Sequence, residues 1–154
     1  MGDKTMETKE KNEFKIVGLS CETSVQECQK VLPDLWDKFN KRVAEIKNRT
    51  GDVVYGVSIT KNIETCEFTY IAGIEVTDFE DIPEGMVQEI IPKEKYMVYE
   101  HKGHISKIGE SYCKIMEEFK KECIKENKIW LEVYGKDYVH NSDDSKMGIW
   151  CSIE

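Results

Sequence analysis

The chain has 154 residues, with a hydrophobic share of 40%, a charged share of 34% and a formal net charge of -8. That length holds one domain, or two small halves fused around one core, and the composition excludes a disordered chain. No apolar run approaches the roughly 18 residues of a membrane span, and with Asp and Glu outnumbering Lys and Arg by 30 to 22 the charge repels a nucleic-acid backbone, so neither membrane insertion nor DNA binding is expected of this chain.

Residues 1–12 read as a disordered or solvated tail of Lys, Glu, Asp and Thr. They contain no apolar h-region, which excludes a secretion signal and points to the cytoplasm. The six cysteines include no C-x-x-C pair, so they are expected as reduced thiols, mostly small core fillers. Phe14 to Cys21 reads as a first strand. From Ser24 the apolar spacing lengthens: Val25, Cys28, Leu32, Leu35/Trp36, Phe39, Val43 and Ile46 recur three or four apart and form one helical stripe. Ser24 is placed to cap that helix, with Glu27 at the capping-box position. Pro33 implies either a kink or a start near it, and Asn48 to Gly51 supplies the stop.

Two strands are expected next, Val53 to Thr60 and Cys66 to Val76, around a turn at Lys61-Asn62. Asp78 to Gly85 is a connector. The same order then recurs. Met86 to Ile91 and Lys95 to His101 are strand-like on either side of Pro92. Ile105, Ile108, Tyr112, Ile115/Met116, Phe119 and Cys123 make a second helical stripe, and Ile129 to Tyr138 and Met147 to Ile153 are further strands. Leu32, Leu35, Trp36 and Phe39 superpose on Tyr112, Ile115, Met116 and Phe119 at a constant offset of 80 residues. Repeated element order with a constant offset indicates a duplication. The expected fold is α+β: two βαββ units, about 13–78 and 86–154, forming one mostly antiparallel sheet with two main helices. A groove is expected at the pseudo-twofold seam, where pockets tend to form.

Several segments resemble one family. Phe68-Thr69-Tyr70-Ile71-Ala72-Gly73-Ile74-Glu75-Val76, Pro83-Glu84-Gly85-Met86, Ile91-Pro92 and Tyr96 through Gly103 are similar to the GyrI-like effector-binding domain, the ligand-binding module of AraC-type and MerR-type multidrug-responsive activators. Leu35-Trp36-Asp37-Lys38-Phe39 fits its first helix, and Trp130-Leu131-Glu132-Val133-Tyr134 fits its Phe-Glu-hydrophobic-Tyr strand. The likeness spans residues 13–154. It departs at the last strand, where the family leads one to expect a proline and this chain has Ile149-Trp150-Cys151-Ser152-Ile153. No helix-turn-helix precedes the domain, so the resemblance is to the free-standing type.

Glu132 is the sharpest candidate for chemistry. Strand alternation puts Trp130, Glu132 and Tyr134 on one face. Alternation alone favours an exposed strand glutamate flanked by packing aromatics; the resemblance instead implies a pocket carboxylate that meets flat, cationic, apolar ligands. Trp36, Tyr70 and Trp150 are candidate pocket walls, since aromatic walls suit planar ligands, while Phe39 falls mid-stripe and reads as core. His101 and His104, three apart, end a strand and start a helix and need not share a face, so no metal is expected. No glycine-rich phosphate loop or nucleophile motif is present, and no cofactor is expected. The resemblance thus implies a module binding a small amphipathic or cationic organic ligand. It also carries two alternatives: a hydrolase opening cyclopropane rings of DNA-alkylating natural products, with Glu132 directing water, and a gyrase-sequestering interaction protein.

Overall fold

The computed structural model describes residues 6–24, 27–62, 67–104, 107–111, 129–135, 138–139 and 142–153. Among the described residues, eight strands are assigned: β1 (Met6–Lys11), β2 (Phe14–Ser24), β3 (Arg49–Asn62), β4 (Glu67–Val76), β5 (Val87–Ile91), β6 (Glu94–Lys102), β7 (Ile129–Tyr134) and β8 (Lys146–Ile153). They form one sheet in the order β1-β6-β8-β7-β3-β4-β2-β5, and every pairing is antiparallel. One helix, α1 (Cys28–Arg42), lies between β2 and β3. A helical turn at 107–111 follows β6; the rest of the expected second helix falls outside the described residues.

The two halves have the same internal order. In the first, β4 lies between β2 and β3; in the second, β8 lies between β6 and β7. The halves meet where β3 pairs with β7, from Val54 opposite Tyr134 to Ile59 opposite Ile129. β2 and β6 begin 80 residues apart, at Phe14 and Glu94, the offset of the helical stripes. The fold is α+β with a duplicated βαββ plan.

Two short links curl this sheet. β1 and β2 are separated by residues 12–13, and β5 and β6 by residues 92–93, yet each link joins opposite ends of the strand order. Three residue steps reach at most about 10 Å, so the two sheet edges must approach one another at this end. Lys11 of β1 shows the closure directly. Its Nζ stands 4.3 Å from the Phe14 ring centroid, 5.6 Å from that of Tyr55 and 3.6 Å from a Glu75 carboxylate oxygen.

Curling gives the sheet an inner and an outer apolar face. Phe14, Ile16, Tyr55, Val57, Ile71, Ile91, Tyr96, Val98, Ile129 and Leu131 are buried inside, drawn from β2 through β7. On the outer face, Val17, Tyr70, Ala72, Ile74 and Val76 pack with Leu35 and Phe39 of α1, and Leu32, Trp36 and Val43 complete the contact. A second outer cluster gathers Tyr99, Met147, Ile149 and Cys151 with Trp130, Tyr134 and Ile108. Burial on both faces explains why β4 reads as a nearly continuous apolar run rather than an alternating one.

Several boundaries differ from the sequence expectation. Residues 6–11, read as part of a solvated tail, form β1 along β6; the side chains of residues 7–10 are exposed, so hydropathy carried no sign of the backbone pairing. Ser24 is the last residue of β2, and Glu27 occupies the N-cap without a side-chain hydrogen bond. α1 runs through Pro33, which lies exposed within it, and ends at Arg42, followed by a 3-10 turn at Val43–Glu45. Asn48 does not end the helix. Its side-chain amide donates to Asp78 Oδ1 at 2.8 Å and to the Glu80 carbonyl at 3.1 Å, tying the start of β3 to the connector between halves. β7 ends at Tyr134 rather than Tyr138. With no proline to interrupt it, β8 pairs with β6 as far as Ile153.

Phe39 is fully buried beneath α1, which makes the helix–sheet contact testable. Phe39→Ala is expected to lower unfolding free energy by about 3–5 kcal/mol, measured by urea denaturation.

Candidate ligand-binding site

Glu132 lies at the middle of the seam. On β7 it stands opposite Gly56 of β3 on one side and Ile149 of β8 on the other. Neither neighbour offers a polar side chain, and the glutamate is only 8% exposed. A carboxylate in such surroundings is costly unless hydrogen bonds replace its lost water. Two phenols do so: Tyr70 donates to Oε1 at 2.8 Å and Tyr134 donates to the same oxygen at 2.7 Å. Hydrogen bonds to a charged partner contribute about 1.5–3 kcal/mol each.

Local sequence explains how each phenol reaches the carboxylate. Tyr134 is two residues along β7, hence on the same face. Tyr70 comes from β4, opposite Ser58, and leans across the Gly56 position. A Cβ on Gly56 would overlap the Tyr70 hydroxyl and come within 2.9 Å of Glu132 Oε1. The bare backbone at Gly56 is therefore the space in which phenol and carboxylate meet.

Trp36 closes the group from α1. Its indole Nε1 donates to Tyr70 Oη at 2.9 Å, and its ring stands edge-on to Tyr134 with centroids 5.2 Å apart. Trp36 also meets Phe39 at 5.8 Å and Tyr70 at 6.4 Å, and Tyr138 meets Tyr134 at 4.8 Å. The result is a relay, indole to phenol to carboxylate, inside a cage of edge-to-face rings. Such pairs contribute about 0.5–1.5 kcal/mol beyond their buried area. Burial, reinforced by the Glu132 charge, pushes the Tyr134 hydroxyl well above the usual phenol range. The same causes raise Tyr138.

Of the six residues singled out from sequence, Glu132, Tyr70, Tyr134 and Trp36 converge. Trp130 shares their face and packs into the neighbouring outer cluster. Trp150 does not join them. It stands opposite Leu131 and Val98 and packs against the inner core, edge-on to Tyr96 at 5.7 Å. An odd–even step along β8 places it on the other side of the sheet, so it is not a wall of this site. Gly56 and Tyr138 were missed. A lone strand glycine carries no sign of its neighbours, and Tyr138 lies beyond the end of β7.

His101 is 3% exposed, with Nδ1 2.7 Å from Ser111 Oγ and Nε2 3.0 Å from the His104 carbonyl oxygen. A carbonyl can only accept, so in the neutral ring Nε2 carries the proton and Nδ1 accepts from the serine. The pair thus fastens the 107–111 turn to β6. A surface hollow of about 220 Å³ lies beside it, lined by Tyr99, His101, Lys102, Lys107 and Ser111 among others. In register, Tyr99 faces Ile149, which faces Glu132, so this hollow sits two strands from the carboxylate.

The molecule is thus a duplicated βαββ sheet with a buried carboxylate where the halves meet. The chain belongs to the family of integron-associated effector binding proteins (Cass2), whose model matches residues 7–153. Among solved structures it is similar to SAV2435 bound to tetraphenylphosphonium, with a TM-score of 0.82 and 16% identity over 97% of this chain and 93% of that one. It is also similar to an integron cassette protein of Vibrio cholerae, with a TM-score of 0.76 and 18% identity over 97% and 96%. Among curated proteins it is 39% identical over 79 residues to the transcriptional regulator BrlR of Pseudomonas aeruginosa. That match covers 51% of this chain and 28% of the regulator, so the chain spans little more than a quarter of that relative.

Two outcomes are expected from this geometry. Gly56→Ala should cost about 1–3 kcal/mol in urea denaturation, because Tyr70 must leave Glu132 to make room. The second concerns pH. Burial raises Tyr55 to about 12 and Tyr134 well above 10, so above pH 10 the folded chain holds more protons than the unfolded one. Stability should be unchanged up to about pH 9 and fall as pH climbs past 10, by about 1.4 kcal/mol per unit for each phenol still neutral. Urea denaturation at about pH 9 and pH 11 measures the fall, and Tyr134→Phe should lessen it.

Proposed function

We propose that this protein binds small amphipathic organic cations carrying flat aromatic groups, with the positive charge directed at Glu132. The observation that carries the reading is the Glu132 carboxylate itself, buried at the seam, hydrogen-bonded by Tyr70 and Tyr134 and ringed by Trp36. A fixed carboxylate out of bulk water attracts a cation far more strongly than an exposed one. Opposite charges 4 Å apart gain about 1 kcal/mol in water and about 4 kcal/mol at a partly shielded protein site. Ring faces add about 0.5–2 kcal/mol per cation–π contact. Delocalised organic cations suit such a site because they surrender little hydration on entering it, unlike an ammonium or a metal ion.

Membership of an effector-binding family supports the small-molecule reading. The similar fold of SAV2435, described with bound tetraphenylphosphonium, supports the choice of a cationic ligand. The likeness to part of a transcriptional regulator supports a role in sensing such compounds.

Titration calorimetry with tetraphenylphosphonium provides the test. Glu132→Gln keeps the shape and an acceptor oxygen while removing the charge, and it is expected to weaken binding by at least about tenfold. Equal affinity of the two forms would reject Glu132 as the counter-charge.

A further inference from the structure

We propose that Ser111 and His101 are a nucleophile and its general base, and that the hollow beside them is a second site, hydrolysing small esters through an acyl-serine. The two come from different elements, His101 from β6 and Ser111 from the helical turn that follows it. Ser111 Oγ lies 2.7 Å from His101 Nδ1, and the opposite ring nitrogen, Nε2, lies 3.0 Å from the His104 carbonyl oxygen. That carbonyl holds the ring proton on Nε2 and leaves the Nδ1 lone pair to the serine hydroxyl. Hydroxyl to base and base to orienting acceptor, each within hydrogen-bond reach, is the pattern of an activated nucleophile. The ring is turned end for end relative to a serine–histidine–aspartate triad, and a neutral carbonyl stands in for the aspartate, but each role is filled.

The surroundings suit that chemistry. His101 and Ser111 are both buried, yet both line the hollow of about 220 Å³. A clip between two elements does not call for open space at the serine; a nucleophile does. The volume is below the roughly 300–1,000 Å³ of pockets for drug-sized ligands, which limits the acyl group and the alcohol to short ones. Lys102 and Lys107 line the hollow and bring the sign of charge that a developing oxyanion needs. Glu100 and Glu110 line it too, so the formal charges cancel, which favours an uncharged ester.

In the first step Ser111 Oγ bonds to the ester carbonyl carbon and its proton passes to His101 Nδ1. The bond from that carbon to the alkoxy oxygen then breaks, and the departing alcohol takes the proton from Nδ1. Water attacks the acyl-serine in the same way, giving up a proton to Nδ1, which returns it to Ser111 Oγ as the acid leaves. Ester and water become acid and alcohol, and nothing is oxidised or reduced. Throughout, the His104 carbonyl steadies the ring that carries the transient positive charge.

A fluorophosphonate probe tests the nucleophile in the unaltered protein, since its phosphorus takes the serine oxygen as fluoride leaves. Peptide mass spectrometry is expected to find the adduct on Ser111; no adduct, or one confined to other residues, would overturn the proposal. Wild type should release p-nitrophenol from p-nitrophenyl acetate in a burst followed by steady turnover. Ser111→Ala and His101→Gln, checked for folding by circular dichroism, should each lower that turnover at least about hundredfold. Turnover by folded Ser111→Ala at the wild-type rate, or none by wild type, would show the pair to be a structural clip only. The laurate ester, too long for the hollow, should react at least about tenfold more slowly than the acetate; equal rates would place the reaction elsewhere and reject the site.

Discussion

A carboxylate held nearly dry between two halves of one sheet is the constraint around which this structure is arranged. Taking Glu132 out of water is unfavourable, and the geometry offsets that cost with two phenol donors on a single oxygen. Each donor needs its own accommodation. Tyr134 requires only strand alternation, whereas Tyr70 requires a neighbouring strand with no side chain in its path, which Gly56 provides. Trp36 then covers the phenols from α1. Remove any of these and the carboxylate either loses a donor or gains water.

The curled sheet makes that arrangement possible. Links of two residues at 12–13 and 92–93 connect opposite ends of an eight-stranded order, so the edges are drawn together and an inner core fills the concave side. With the inner face closed, the outer face is left to α1 and to the turn at 107–111. Glu132 lies between the two outer clusters, where the halves abut. A seam between duplicated units is a natural place for a site, because packing within each half is complete and packing between them need not be.

Under the proposed reading, the buried carboxylate is a preformed electrostatic feature and the aromatic residue above it bears on ligand choice. The carboxylate and its phenols are set by strand register and cannot shift without disturbing β3, β4 and β7 together. The indole of Trp36 hangs from a helix through one hydrogen bond and a set of edge contacts. A carboxylate fixed by strand register beneath aromatic rings favours, under the proposed reading, ligands that are both cationic and flat. The kinship to effector-binding proteins and the partial likeness to a transcriptional regulator fit a module whose task is to recognise a compound.

Much of the architecture was legible along the chain. Periods of two and of three to four in apolar residues marked the strands from β2 to β8 and the helix α1, and the 80-residue offset of the stripes disclosed the duplication, because these patterns are local or depend on spacing alone. β1 escaped notice because an exposed edge strand is held by backbone hydrogen bonds, which hydropathy does not register. Helix ends shifted for a related reason: Ser24 was drawn into β2, and Asn48 bonds to a segment 30 residues away. In the site, alternation along β7 already put Glu132 and Tyr134 on one face. Which side of the sheet that face met, and that Trp150 belonged to the other, depended on how β8 was registered between β6 and β7. That Tyr70 reaches Glu132 across Gly56 while Trp36 donates to the Tyr70 hydroxyl was decided only by tertiary structure, since the three come from β4, β3 and α1 and their approach depends on register and curl. Period and order are written in the chain, but proximity across strands is settled when the sheet closes.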